Sequence, residues 1–433
     1  MADDIKPAGY RPRIVDTEIR RFLEVFGAVE VAGTKWCGKT WTSRAHAASI
    51  SYVDRGNNLA LAKADPSLML IGDAPHVIDE WQRVPALWDV VRHAVDDAAG
   101  KKGLWILTGS STPRKKEERP AHSGAGRIGR IRMLPMSLSE SGESNAAVSL
   151  AGLFRGEFSR QKVEADTREL LDVACRGGWP EAINAPTARA QTMAREYLRA
   201  ILDESIPALG KSSDMAERLI ASLARNLCQA ATYQTLRLDM YGGEEDPEGL
   251  ANDKTIADYL ETLRSLYFIE GVKGWVPPAR SPKRVQLKEK RYFADPSLAV
   301  AALGMTPESL LEDWQTFGLI FENLCMRDVL VYARALPNVG MTPVRYYRDD
   351  SGLEADAIIE LADGRWAALE FKVSEDKVPD GIENLERLRA KLLKNPHART
   401  REPEFLAVIV GLGEYARKSK EGVYVIPLRT LGA

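Results

Sequence analysis

Cysteine and histidine are scarce in this chain, and long apolar runs are missing. The four cysteines (Cys37, Cys175, Cys228 and Cys325) are scattered over 433 residues with no CxxC spacing. That excludes a disulfide framework and a structural zinc site as expectations. The five histidines (His46, His76, His93, His122 and His397) never fall into a zinc-helix spacing such as HExxH. No apolar run approaches the roughly 18 residues needed to cross a bilayer, so no membrane contact is expected. The start, Met1-Ala2-Asp3-Asp4, is acidic and has no apolar segment behind it, unlike a signal peptide. The expected location is the cytosol. An excess of one charge is missing too: 59 Lys+Arg stand against 61 Asp+Glu, a net of −2. This excludes a histone-like or tail-driven nucleic-acid binder, although an average says nothing of local patches.

What is present first is a phosphate-binding pattern. Residues 28–34, Ala-Val-Glu-Val-Ala-Gly-Thr, form a short β-prone run that breaks at Gly33. Then Gly33-Thr34-Lys35-Trp36-Cys37-Gly38-Lys39-Thr40 matches GxxxxGK[ST], followed by helix-compatible sequence from Trp41 to Ala48. Glycines let the backbone curl so that successive N–H groups face a β-phosphate. Lys39 places a charge between β- and γ-phosphates, and the Thr40 hydroxyl is a Mg²⁺ ligand. The helix N-terminus adds its positive end. ATP and Mg²⁺ are the expected ligands.

Further along, Val77-Ile78-Asp79-Glu80 is an apolar run ending in two carboxylates. Asp79 is suited to hold Mg²⁺ through water and Glu80 to polarise the attacking water. Leu104 to Leu107 reads as a buried strand ending in Thr108-Gly109-Ser110-Ser111, where Thr108 and Ser110 would touch the γ-phosphate or the water. From Arg114 to Arg132 seven Lys/Arg face only Glu117 and Glu118. Within this basic stretch Arg127 and Arg130 are the candidates for an arginine that neutralises transition-state charge, in cis or from a neighbouring subunit of a homo-oligomer.

The P-loop together with "HVIDEWQ" (76–82), "LWILTGSSTP" (104–113), "HSGAGRIGRIRMLPMSLSE" (122–140) and "RGGWPEAI" (176–183) resembles a bacterial family of AAA-like ATP-binding proteins. That family carries a C-terminal domain of uncharacterised function. The resemblance implies an AAA-type α/β ATP-binding domain and no particular substrate.

The middle of the chain, from Asp166 to Ala230, has apolar residues at three-to-four spacing and reads as mostly helical. Gly177-Gly178-Trp179-Pro180 interrupts it as a turn. After a polar loop, a helix begins near Lys254 with Thr255 as the expected N-cap. "TIADYLETLRSLYFIEGVKGW" resembles the recognition helix and wing of a winged-helix domain. Arg280, Lys283, Arg284, Lys288, Lys290 and Arg291 then meet one acid, Glu289, giving a basic wing suited to DNA phosphates. Asp258 and Glu261 on the helix itself oppose close docking in a groove.

The last block reads as helix (312–335), strands (343–348, 353–361, 365–373), helix (382–394) and strand (404–411). This αβββαβ order resembles the restriction-endonuclease-like fold, whose chemistry needs an acid on the second strand and Glu-x-Lys on the third. Here those are Asp356 and Glu370-Phe371-Lys372. Alternation puts the acids on one side of each strand. A three-residue hairpin loop with Gly364 in the left-handed position would set Leu361 opposite Arg365, hence Asp356 opposite Glu370. Two facing carboxylates invite a hard cation such as Mg²⁺. Lys372 would orient water or stabilise the developing phosphorane charge, and Glu322 on the preceding helix is a further ligand candidate.

The expected organisation is a P-loop AAA-type domain over 1–150, a helical and winged-helix-like domain over 151–305, and a restriction-endonuclease-like domain over 306–433. The leading expectation is a Mg²⁺-dependent ATPase whose nucleotide state controls the C-terminal module. The alternatives are an ATP-regulated metal-dependent DNA nuclease and a non-catalytic nucleotide-sensing switch that binds DNA or protein. DNA contact would run through the basic segments 114–132 and 280–291.

Overall fold

The computed structural model describes residues 5–113, 123–243, 251–277, 287–394 and 400–433. The chain divides into two compact units. One comprises Met1–Pro135, Ser205–Lys211 and Leu260–Phe268; the other comprises Met136–Glu204, Ser212–Tyr259 and Ile269–Ala433. Most of the helical middle therefore shares a unit with the C-terminal block.

The first unit is built on a five-stranded parallel sheet of β1 (Ala28–Gly33), β2 (Ser49–Tyr52), β3 (His76–Asp79), β4 (Trp105–Gly109) and β5 (Ile128–Met133), in the order β2-β3-β4-β1-β5. Both faces are covered, as a parallel sheet requires. Val29 and Val31 pack with Ile106, Ile131 and Ile19 of the helix Val15–Val25. Ala28 and Leu107 turn the other way, onto Leu87, Trp88 and Val91 of the helix Ala86–Asp97. Because all five strands run the same way, their carboxyl ends share one edge, where ligands of such sheets bind.

The second unit holds the expected helices Thr167–Arg176, Thr187–Ala200 and Ser213–Arg225, and a further one beyond the expected stretch, Tyr233–Met240. The next helix, Asp253–Ser265, is capped one turn earlier than expected. The Asn252 carboxamide oxygen accepts from the Thr255 backbone N–H at 2.9 Å, so Asn252 is the N-cap and Thr255 stands three residues inside. Two short strands, β6 (Val148–Ser149) and β7 (Gln161–Lys162), lie earlier in the unit, and β8 (Ile269–Val272) pairs antiparallel with β9 (Lys290–Phe293).

Beyond Trp314 the element order αβββαβ is the one expected: helix Trp314–Arg334, β10 (Val339–Arg348), β11 (Glu354–Leu361), β12 (Trp366–Lys372), helix Val378–Lys394 and β13 (Phe405–Val410). β14 (Tyr415–Lys418) and β15 (Tyr424–Pro427) extend the sheet to the order β10-β11-β12-β13-β15-β14-β7, and β16 (Leu431–Gly432) pairs with β6. The β11–β12 turn is the three-residue loop foreseen. Leu361 N–H donates to Arg365 O at 2.8 Å, and Gly364 has φ +84°, a conformation that favours glycine. Ala357 faces Leu369, so the next step of the same register brings Asp356 to Glu370.

Candidate functional site

The P-loop runs from the end of β1 into the helix Lys39–Ala45, two residues earlier than the expected helical stretch. Gly33 is required by space: a Cβ there would lie 2.2 Å from the Met133 carbonyl oxygen. Lys39 is buried, and its ammonium donates to Thr34 O at 2.7 Å, closing the loop on itself. Cys37 is buried beneath the loop, whereas Trp36 is half exposed.

β3 and β4 deliver the remaining side chains. The Thr40 hydroxyl donates to Asp79 Oδ1 at 2.8 Å, and the Thr108 hydroxyl donates to the same oxygen at 2.5 Å. Burial pushes the Asp79 carboxyl above its ordinary range, while these two hydroxyls pull it back. Glu80, in the left-handed region at φ 60°, turns its carboxylate to Ser110, whose hydroxyl donates to Oε2 at 3.1 Å. Gln82 donates to the same Glu80 oxygen. The fragments at 33–40, 79–80 and 108–110 therefore meet at one end of the sheet because β4 lies between β1 and β3. Hydroxyl and carboxylate oxygens beside an ammonium form the donor set that a Mg²⁺–triphosphate suits.

Two residues missed by sequence reasoning hold this site. Arg13, buried ahead of the first helix, donates to Cys37 O and Leu134 O, both at 2.9 Å. It thus ties the P-loop backbone to the end of β5. Gln82 braces Glu80. No spacing rule flags Arg13; Gln82 could have been suspected from its place two residues after the carboxylate.

The two expected arginines are elsewhere. Arg127 immediately precedes β5, level with Ala28, the first residue of β1. The P-loop leaves the other end of β1, five residues and roughly 17 Å away. Arg127 is engaged there by Asp96 at 2.8 Å. Arg130, halfway along β5, lies 3.5 Å from Glu30 and over the Trp88 ring at 4.7 Å. Strand direction thus excludes Arg127 from the P-loop of its own chain. Arg130 points into a different contact. Of the basic stretch 114–132, residues 114–122 lie outside the described residues.

In the second unit the sequence-predicted carboxylates do converge. Asp356 Oδ2 accepts from Phe371 N–H at 2.8 Å, Glu370 accepts from Lys372 at 2.8 Å, and Glu370 also accepts from Asn384 at 2.8 Å. Glu322 is held by the Tyr292 hydroxyl at 2.8 Å. The surprise is Lys290. Expected on an exposed basic wing, it is buried, with its ammonium 3.2 Å from Glu322, against Glu354, and 3.9 Å from Asp356. Arg291 is buried as well and donates to Ala231 O at 2.8 Å. These two residues are internal to a strand buried along its length: β9 pairs with β8, and just beyond β8 Gly274 bridges Tyr346 of β10. Arg280, Lys283 and Arg284 lie outside the described residues, and Lys288 alone of the segment's described basic residues is exposed.

Glu370 is almost wholly covered, and it accepts from Asn384 of the helix Val378–Lys394, which also packs on Trp366 and Ala368. Burial, with the Asp356 charge second, pushes Glu370 up to about 8 and Glu322 up to about 7. Among the described residues no group of three or more His, Cys, Asp or Glu is arranged to hold a metal ion. The expected Mg²⁺ site of Asp356, Glu370 and Glu322 therefore does not fit: Lys372 and Asn384 hold the two Glu370 oxygens, Phe371 N–H holds Asp356 Oδ2, and Tyr292 and Lys290 share Glu322 Oε1.

Three family models match separate stretches of the chain. Residues 26–142 match the model of the AAA domain, residues 167–309 a domain of unknown function (DUF8612), and residues 317–431 another domain of unknown function (DUF4143). No curated protein matches the sequence. Among solved structures, a Walker-type ATPase of Pyrococcus abyssi aligns at 15% identity over 66% of this chain and 94% of its own, with a TM-score of 0.38. A RuvB variant of Thermotoga maritima aligns at 15% identity over 62% and 89%, with a TM-score of 0.27. The Orc1 protein of Aeropyrum pernix in complex with DNA aligns at 13% identity over 69% and 95%, with a TM-score of 0.24. All three are remote likenesses. The family match identifies residues 26–142, which hold the P-loop, as an AAA-like ATP-binding domain, and no helix among the described residues is long and apolar enough to cross a membrane.

Proposed function

We propose that the protein is a Mg²⁺-dependent ATPase whose nucleotide state controls its C-terminal module. The observation that carries this reading is the meeting of Thr40, Asp79 and Thr108 on one carboxylate oxygen, with Lys39 and Glu80 at the same sheet edge. Lys39 and the loop N–H groups from Gly33 to Thr40 bind the phosphates. Thr40 and Asp79 would hold Mg²⁺, which supplies neutralisation of the charge on the β- and γ-oxygens. Glu80, oriented by Ser110 and Gln82, accepts the proton of the attacking water. Thr108 fixes the Asp79 carboxylate and, through a 3.3 Å bond from Glu80 N–H, the backbone of the base. An arginine for the γ-phosphate from either Arg127 or Arg130 would have to come from a second copy in a homo-oligomer.

Control of the rest of the chain is supported by the next link. Two residues after Ser110, Thr112 N–H donates to Ser265 O at 2.9 Å, and the Thr112 hydroxyl lies 2.8 Å from the Tyr267 hydroxyl. The last residues of the helix Asp253–Ser265, which belong to the first unit, are thus bonded to the segment that follows β4, and the same helix begins in the second unit. Equilibrium binding and turnover of ATP by the wild type and Lys39→Ala test the assignment. The variant is expected to lose both, and unchanged affinity and turnover would sink it.

The C-terminal block supports a restriction-endonuclease-like arrangement by its element order and by the register that joins Asp356 to Glu370. The covered Glu370 and the internal Lys290 favour a module that engages a protein or DNA partner without cutting, over a metal-dependent nuclease. Incubation of the protein with DNA and Mn²⁺ is expected to give no cleavage. Cleavage lost in both Asp356→Ala and Lys372→Ala would reinstate the nuclease.

A further inference from the structure

The carboxylates of Glu322, Glu354 and Asp356 come from two elements, the helix Trp314–Arg334 and the strand β11, and meet at one point. Carboxylates brought together inside a protein need a proton or a cation between them. In this molecule the cation is supplied by a third element. Lys290 enters from β9, its side chain 5% exposed, and its ammonium reaches Glu322 at 3.2 Å, Glu354 in a short contact, and Asp356 at 3.9 Å. Other protein donors bond to the same carboxylates and to Glu370. Tyr292 also donates to Glu322, Phe371 N–H takes Asp356 Oδ2, and Lys372 with Asn384 fills both oxygens of Glu370. An ammonium offers three donors and suits oxygens at hydrogen-bond length. Mg²⁺ requires oxygens at about 2.0–2.1 Å, and the same point cannot accommodate both.

We propose that Lys290 is the built-in cation of the C-terminal module. Its ammonium stands where a divalent metal would otherwise bridge Glu322, Glu354 and Asp356, and it fastens the β8–β9 hairpin to the sheet without any metal. The proposal is independent of the ATPase reading, since every residue in it belongs to the second unit. It also gives the basic run at 288–291 a role other than gripping phosphate: Lys290 is spent internally.

The test uses full-length, nucleotide-free protein titrated with Mn²⁺, followed by electron paramagnetic resonance of free Mn²⁺ and by the thermal midpoint. The wild type is expected to bind no Mn²⁺ at millimolar concentration and to show no shift of midpoint. Lys290→Met leaves the carboxylates without their cation, so its midpoint falls. Added Mn²⁺ should restore much of it, with a bound ion that is lost again in Lys290→Met/Asp356→Asn. Lys290→Arg, which keeps the charge, should stay near the wild-type midpoint and still refuse Mn²⁺. Two results would overturn the proposal: wild-type protein that binds Mn²⁺ through Asp356, or folded Lys290→Met that Mn²⁺ neither binds nor stabilises. Should Lys290→Met fail to fold, the wild-type and Lys290→Arg titrations still decide it.

Discussion

The guanidinium of Arg13 donates to the carbonyl oxygen of Cys37 at 2.9 Å, from a position twenty-four residues earlier in the chain. This bond, with its twin to Leu134, ties the P-loop backbone to the residue that follows β5. A charge-assisted hydrogen bond contributes about 1.5–3 kcal/mol. Arg13→Ala should therefore weaken ATP binding about tenfold or more, raising KM while leaving kcat within a small factor, because no reacting atom loses a partner. Arg13→Lys reaches at most one of the two carbonyls and should rescue only in part. Steady-state kinetics separate KM from kcat, and a fall in kcat alone would assign Arg13 another role.

Stability of the second unit should depend on pH in an unusual sense. Burial, and then the Asp356 charge, raise Glu322 to about 7 and Glu370 to about 8 from an ordinary 4.5. Between 4.5 and those values the folded state holds protons that the unfolded chain has released. Stability is thus fully present below the unfolded pKa and lost as pH rises through 7 to 8. The thermal midpoint of the wild type is expected to decline across that window, with Lys372 and Lys290 charged throughout. Glu370→Gln, which cannot titrate and can still bond to Asn384, should flatten the decline. A midpoint that climbs from pH 5 to 8 would show that the two carboxyls are ionised in the fold.

The helix Asp253–Ser265 offers a local test of capping. Asn252→Ala should cost about 1 kcal/mol, since it leaves the Thr255 N–H without its cap. Thr255→Ala should cost much less, because its N–H keeps the Asn252 oxygen. Denaturant midpoints of the two variants check the order. The reverse order would restore Thr255 as the cap.

Much of the phosphate site was legible in the sequence because each fragment is local: a loop, a strand ending in two acids, a strand ending in hydroxyls. Their assembly depends only on β4 standing between β1 and β3, which the parallel sheet supplies. The Asp356–Glu370 register was readable for the same reason, as one tight turn decides it. Arg127 and Lys290 were misread because composition does not encode direction. A basic run suggests a wet surface, yet Arg127 lies at the far end of β5 and Lys290 on a strand buried on both sides. Arg13 left no pattern at all: its partners are backbone carbonyls, which every residue possesses. Thr255 was displaced as the cap by a better oxygen three residues earlier.

In the proposed ATPase reading the chemistry of the first unit rests on Glu80, held by Ser110 and Gln82 beside the P-loop. The most direct measurement is phosphate release from Mg²⁺–ATP by the wild type and Glu80→Gln, with ATP affinity determined on the same samples. Loss of a positioned general base costs about 10²–10⁴-fold. The account expects Glu80→Gln to bind ATP as tightly as the wild type and to release phosphate slower by a factor in that range. Equal rates in the two proteins, or a wild type with no turnover at all, would contradict it.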